Sequence, residues 1–174
     1  YLSGQRAALI RRKSQVRLLL CPSPMNRAEA FQSLSKTKKG EVAEQIVETE
    51  LALRGYTVLQ PRENERYDLA IEDGGKLLRI QVKTGYERER SPGRIVFDTS
   101  NNNTQRSEVN ISKNYTSEQI DYFAVYSEIT DEVYIVPVEE TGTSEMTIRY
   151  DNPQKTDPNI NWAEEYVIEN ILAR

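Results

Sequence analysis

Histidine is absent from the 174 residues and cysteine occurs once. The two absences remove Ser-His-Asp triads, imidazole acid–base chemistry and zinc sites built on imidazole, and they leave no internal disulfide. No apolar run approaches the ~20 residues that a membrane span needs, and Leu18-Leu19-Leu20 is too short for the apolar segment of an export signal. The expectation is a cytoplasmic protein. Carboxylates, Lys and Tyr must carry any chemistry, in one globular domain that buries about 70% of its unfolded-chain surface without disulfide or metal staples.

Charge is unevenly spread. Residues 1–24 hold five basic side chains and no acid, which leaves 18 basic against 27 acidic side chains over residues 25–174. The first stretch reads as a disordered or non-native basic extension ahead of Met25, because it lacks helical periodicity and aromatic interleaving; the competing reading is a basic arm on nucleic acid phosphates. Residues 25–174 form the domain. An acidic body confines any nucleic acid contact to a local basic face. Lys36, Lys38 and Lys39 form one cluster, and Lys83, Arg88, Arg90, Arg94, Arg106 and Lys113 form a second, diluted by Glu87, Glu89, Asp98 and Glu108. Taken alone, both read as solvated surface.

Between Lys39 and Arg54 the residues Val42, Ala43, Ile46, Val47, Leu51 and Leu53 recur at helical spacing, with Gly55 at the C-terminal cap position. Tyr56–Leu59 and Tyr67–Glu72 read as strands, and Asp73-Gly74-Gly75 turns the second into a third over Lys76–Thr84. In that third strand Arg79, Gln81 and Lys83 share one face. Further strands are expected at Arg94–Asp98, Tyr122–Tyr126, Val133–Val136 and Met146–Tyr150, with a loop through Asn101-Asn102-Asn103 and a short helix opening at Ser117–Gln119. Ile160–Leu172 predicts an amphipathic closing helix anchored by Trp162.

The order of these elements brings chemistry together. Thirteen residues separate Asp68 from Gln81, so the hairpin returns the third strand beside Asp68. Neighbouring same-face side chains in a hairpin lie within about 5–8 Å, which lets Asp68, Gln81 and Lys83 converge. A hard cation such as Mg²⁺ takes oxygen ligands, and the Asp68 carboxylate, the Gln81 side-chain carbonyl and the Val82 main-chain carbonyl supply them. Lys83 would then orient or deprotonate a water that attacks phosphorus, or stabilise developing charge. Glu41 and Glu44 compete to complete the site. At about 100° per residue Glu44 lies about 20° past the edge of the apolar arc and Glu41 about 80° past it, so Glu44 borders the packed face and leans toward Asp68.

Here the sequence resembles the PD-(D/E)xK nucleases. Lys39-Gly40-Glu41-Val42-Ala43-Glu44 is similar to the entry helix, Tyr67-Asp68 stands for the PD element, and Gln81-Val82-Lys83 stands for (D/E)xK. The spacings of 24 residues from Glu44 to Asp68 and 13 to Gln81 resemble those of archaeal Holliday junction resolvases. Gln at the usually acidic position, Tyr67-Asp68-Leu69 with Gln81-Val82-Lys83-Thr84-Gly85, and the later Ile120–Tyr126 and Val133–Pro137 segments resemble instead the group I intron-associated homing endonuclease branch.

The resemblance covers residues 36–137. It implies a mixed α/β, restriction-endonuclease-like core, with an entry helix and a four- or five-stranded sheet flanked by helices. It further implies Mg²⁺-dependent, or Mn²⁺-dependent, hydrolysis of DNA phosphodiesters by Glu44, Asp68, Gln81 and Lys83. Lys36, Lys38 and Lys39 would lie near the DNA backbone. Cutting both strands near one site needs two active sites, so a homodimer or homotetramer is expected.

The plainer readings stand beside this one. Asp68 can be an edge carboxylate in water, with Gln81 and Lys83 on a solvated strand face. Against that, Tyr67, Leu69 and Ile71 share one face and leave Asp68 on the other; if the entry helix covers the Asp68 face, the polar cluster must be paired or metal-bound. Asp121 reads as a cap or turn residue, and Tyr86, Asn114 and Tyr115 as packing residues or DNA contacts. Functionally, the endonuclease competes with a junction resolvase and with a catalytically inactive DNA-binding module in which Gln81 has cost the site its metal.

Overall fold

The structure, a computed structural model, describes residues 26–62, 65–100, 114–151 and 159–172. Residues 1–24, the Asn101–Asn103 loop, Arg106, Glu108 and Lys113 lie outside the described residues. Helix α1 (Arg27–Gln32) starts where the Asn26 side chain accepts the Ala28 N–H, and helix α2 (Lys36–Leu53) where the Ser35 hydroxyl accepts the Lys38 N–H. The Ser35 cap is why α2 begins three residues ahead of the apolar periodicity. It ends at Gly55, whose φ of 83° supplies the left-handed turn. The buried line of α2 is Ala43, Val47 and Leu51, while Leu53 is 76% exposed. Leu53 projects about 120° from the centre of that line, so it falls outside the expected apolar arc.

Seven strands follow: β1 (Val58–Leu59), β2 (Leu69–Asp73), β3 (Lys76–Arg88), β4 (Ser91–Asp98), β5 (Tyr122–Ser127), β6 (Glu132–Pro137) and β7 (Glu145–Arg149). Among the described residues the sheet therefore exceeds the four or five strands expected. The β2–β3 turn is the predicted one: Gly74 and Gly75 both take positive φ, as a two-residue hairpin turn matched to strand twist requires.

Strand β3 organises the rest. Its first half lies between β2, antiparallel with Leu69 opposite Ile80, and β5, parallel from Ile80–Tyr122 to Gly85–Ser127. Its second half departs to pair with β4, Tyr86 opposite Val96, and β4 pairs onward with β7. The split is at Gly85, where any β-carbon would overlap the Ile95 side chain and press on Val125. β6 completes a hairpin with β5, turned by Asp131 at φ 56°.

Alternation along β5 separates two cores, and β3 adds Ile80 and Val82 to the first. Ile80, Val82, Ala124 and Tyr126 pack with Leu69, Ile71 and the buried line of α2. Phe123 and Val125 face the other way, against Ile95, Phe97, Met146 and Ile148 of β4 and β7. That second face is thus covered by folded-over strands where helices were expected.

Two expected helices are absent. Ser117–Gln119 is a turn, closed by the Gln119 and Ile120 N–H groups on the Thr116 carbonyl. The closing segment breaks into a 3₁₀ turn (Ala163–Tyr166), an extended Val167 bridged to Tyr134, and a short helix α3 (Ile168–Ile171). Ala163 and Tyr166 enter the β4–β7 core and Ile168 and Leu172 the α2 core. One continuous helical stripe cannot serve both, so the chain breaks between them. Trp162 is only half-buried, and the anchors are Tyr166, Ile168 and Leu172. None of the described helices is long and apolar enough to cross a membrane.

Asp121 has the structural role expected of it. Its carboxylate accepts the Arg79 backbone N–H at 2.7 Å and the guanidinium Nε and Nη2 at 3.0 and 3.2 Å. Arg79 also reaches the Ser117 and Glu118 carbonyls, tying the turn to the sheet. Burial pushes the Asp121 carboxyl up, but the Arg79 bonds outweigh it and hold it below its ordinary value. A carboxyl more acidic folded than unfolded contributes stability that is whole above the ordinary carboxylate range and lost as pH falls through the folded value. Asp121→Asn is expected to cost about 1.5–3 kcal/mol at neutral pH, the range for hydrogen bonds to a charged group. Urea unfolding of both proteins at about pH 7 and about pH 3 checks this: the difference should narrow in acid, and an equal difference at both would overturn it.

Candidate active site

The site begins where the β2–β3 ladder ends. The Asp68 N–H donates to the Ile80 carbonyl at 3.0 Å, and the next donor on β3, the Val82 N–H, goes to the Asp68 carboxylate at 2.8 Å. A side-chain oxygen thus takes the bond that one more β2 residue would have taken, and pairing stops. Asp68 itself lies just before β2, although the strand expected over Tyr67–Glu72 included it. Upstream the chain leaves the sheet, so that Tyr67 packs on the β4–β7 core while Leu69 and Ile71 face α2. The shared face expected for those three residues is broken at Asp68.

A cavity of about 520 Å³ fills the resulting wedge. Asp68, Gln81, Val82 and Lys83 form its wall, and the first turns of α2 contribute Lys36 and Glu44. The Gln81 amide donates to the same Asp68 oxygen that takes the Val82 N–H. Gln81 and Lys83 project from β3 opposite to Ile80 and Val82, hence away from the face that α2 covers. The helix therefore does not cover the polar face; Glu44 approaches from the open end of the wedge. Glu41 pairs outward with Lys38, so Glu44 is the α2 carboxylate that enters the cavity.

Burial dominates the electrostatics. Loss of water raises the Asp68 carboxyl above its ordinary value, against the Val82 N–H, Lys83 and Gln81, which pull it down. Glu44, exposed at the mouth, is also raised, by partial burial and then by the charges of Asp68 and Glu41. Burial lowers Lys83; Asp68 and Asp98 oppose this, and Arg66 and Lys36 reinforce it. The Lys83 ammonium donates to the Ser100 carbonyl at 3.3 Å and lies 5.2 Å from the Tyr115 ring centre.

The donors are oxygens. The C=O of a strand residue points to the same side as its N–H, so the Val82 carbonyl opens on the wedge beside the Asp68 carboxylate. With Glu44 and the Gln81 amide oxygen these suit a hard divalent cation completed by water. No cluster of three His, Cys, Asp or Glu that could hold a metal ion occurs among the described residues.

Of the three lysines expected near DNA, Lys36 alone lines the cavity. Lys38 pairs with Glu41, and Lys39 reaches Glu128 at 3.4 Å with its ammonium 5.4 Å from the Phe31 ring centre. Tyr86 is exposed, far along β3, and Asn114 bridges Ser100. Sequence reasoning missed Arg66 and Asp98. The signals were available, since Arg66 sits two residues from Asp68 and Asp98 closes a strand, but ordinary surface charges share them. A larger groove of about 830 Å³ lies between Arg54, Arg149 and Trp162. Arg54 there is already paired with Glu50 and Glu169, and none of the four predicted catalytic residues lines it.

A carboxyl whose folded value is raised contributes stability that is whole below its ordinary value and is lost as pH rises through the folded value, above which its charge is a full cost. Asp68→Asn keeps an acceptor for the Val82 N–H and removes the charge. Without added metal at neutral pH it is expected to raise stability by about 0.5–2 kcal/mol, as relief of a strained functional site does. Thermal melts in chelator check it, and a lower midpoint for the variant would overturn the reading of Asp68 as a costly buried charge.

The family model described as PD-(D/E)XK endonuclease matches residues 34–169. A solved structure of a bacterial homing endonuclease, I-Ssp6803I, is similar over 72% of this chain and 83% of that one, with 25% identity and a TM-score of 0.54. No curated protein matches significantly. PD-(D/E)XK nucleases typically use divalent metal ions, and the oxygen donors around Asp68 suit that use. The chain belongs to the PD-(D/E)XK endonuclease family.

Proposed function

We propose that this chain is a Mg²⁺- or Mn²⁺-dependent DNA endonuclease of the homing or restriction type, acting as a homodimer or homotetramer. The observation that carries the reading is the wedge itself, in which Asp68, Gln81, Val82 and Lys83 meet Glu44 in one cavity. A divalent ion bound there supplies a Lewis acid for a phosphoryl oxygen and its negative charge. Asp68, Glu44, the Val82 carbonyl and the Gln81 amide oxygen would hold it. A planar amide can keep its NH₂ on Asp68 and turn its oxygen to the ion. It binds more weakly than a carboxylate, but adds no third negative charge beside Asp68 and Glu44.

Lys83 takes the remaining role. Its lowered proton affinity makes the neutral amine accessible, so it can accept a proton from the attacking water; as ammonium it stabilises the charge on phosphorus. Water oxygen bonds to phosphorus as its proton passes to Lys83, the bridging P–O bond breaks, and the departing alkoxide takes a proton from solvent water. Lys36, at the mouth of the cavity, meets the DNA backbone.

Supercoiled plasmid and a four-way junction, each incubated with Mg²⁺ or Mn²⁺, test this. Lys83→Ala should lower nicking by about 10²–10⁴-fold, the span of a positioned acid–base group, while DNA binding changes little. Retained cleavage would remove Lys83 from the mechanism. Preference for the junction would favour a resolvase. Gln81→Glu should lower the Mg²⁺ concentration needed for half-maximal nicking. If wild type and Gln81→Glu both bind DNA without nicking, the protein is a DNA-binding module with a nuclease fold.

A further inference from the structure

The cavity holds a second arrangement that the proposed chemistry does not use. Arg66 lies on the segment that leaves the sheet two residues before Asp68, and its guanidinium carbon is 4.6 Å from the Tyr115 ring centre. Its Nη2 donates to the Asn114 carbonyl at 3.2 Å. The Lys83 ammonium lies over the same ring. Tyr115 in turn stands edge-on to Phe123, 5.4 Å between centres at 87°, and Phe123 is fully buried in the β4–β7 core. One aromatic ring, seated on the core, therefore sets two cations relative to each other and to Asp68.

We propose that Arg66 is a DNA-phosphate ligand, forming a second phosphate subsite beside the Asp68–Lys83 centre, and that Tyr115 is the positioning residue that holds it there. The inference rests on the endonuclease reading above. A guanidinium carries its N–H donors in one plane, in a fork that matches phosphate oxygens. Charge in the cavity points the same way. Glu44, Glu65, Asp68 and Asp98 face Lys36, Arg66 and Lys83, a balance of one net negative charge. A divalent cation turns that balance positive, the sign that accepts a phosphodiester. Arg66 and Lys83 lie over the same ring, so a phosphate beside Lys83 has a second cation next to it.

The test separates binding from cleavage. Affinity for a labelled duplex is measured over a salt series at one fixed Ca²⁺ concentration, a divalent ion that occupies oxygen-ligand sites, with nicking of plasmid in Mn²⁺ run beside it. Arg66→Gln should weaken binding about tenfold and reduce the slope of log K against log salt by about 0.9, the share of one phosphate. Arg66→Lys should restore the slope, since it restores the charge. Tyr115→Phe should bind as wild type, because the ring and not the hydroxyl holds the cation, whereas Tyr115→Leu should lose affinity as Arg66→Gln does. Should Arg66→Gln fail to fold, Arg66→Lys and the two Tyr115 variants decide. Wild-type affinity and slope in Arg66→Gln, beside wild-type nicking, would overturn this inference alone. Equal losses in Tyr115→Phe and Tyr115→Leu would remove the stacking role. A wild type that binds no DNA would overturn the endonuclease reading and this inference with it.

Discussion

One hydrogen bond shapes this molecule's working end: the Val82 N–H given to the Asp68 carboxylate. It stops β2 from continuing along β3, and the chain before Asp68 must then leave the sheet. The opening is the cavity. The same bond holds a carboxylate where water is scarce, so its charge is kept at a cost that the fold elsewhere must offset. A strand terminus and a buried acid are thus a single feature, and Gln81 and Lys83 take their positions from it by alternation.

The rest of the architecture makes that terminus rigid. β3 serves two sheets, its first half flanked by β2 and β5 and its second by β4, and the exchange occurs at Gly85. β3 cannot shift register without moving Ile80 and Val82 out of the α2 core and Gln81 and Lys83 out of the wedge. Lys83 lies two residues before the exchange point, paired with Val125 of β5 on one side and open to the wedge on the other. The Arg79–Asp121 latch fixes the other end of the same stretch, because Asp121 is the residue immediately before β5. Gln81 and Lys83 are therefore carried on one of the most constrained segments of the chain, which is what a reacting centre requires.

Charge follows the same logic. A chain with 27 acids and 23 bases is not built to hold nucleic acid by its whole surface. Its cations gather where the carboxylates are, with Lys36, Arg66 and Lys83 in the cavity of Asp68 and Glu44. Gln81 fits this balance. A carboxylate there would put a third negative group against Asp68, while the amide donates a hydrogen bond and keeps an oxygen to offer.

Much of this was legible in the sequence. Alternation in Leu78–Lys83 and the Asp73-Gly74-Gly75 turn determine β2, β3 and the proximity of Asp68 to Gln81, since period and turn geometry are local. Helical periodicity with Gly55 determines α2, and the angle of Glu44 relative to Leu51 separates it from Glu41. Other features were set only by tertiary structure. That Gln81 and Lys83 face away from α2 depends on which core Val82 enters, and that Leu53 is exposed depends on what α2 lies against. The broken closing segment follows from two cores competing for one apolar stripe. Arg66 and Tyr115 are 49 residues apart in the sequence, and their stacking exists only because Phe123 seats the ring beside the wedge. Periodicity, caps and turns are properties of a few neighbouring residues, so the sequence by itself determined them; the side that each face meets is a property of the whole chain, and packing alone decided it.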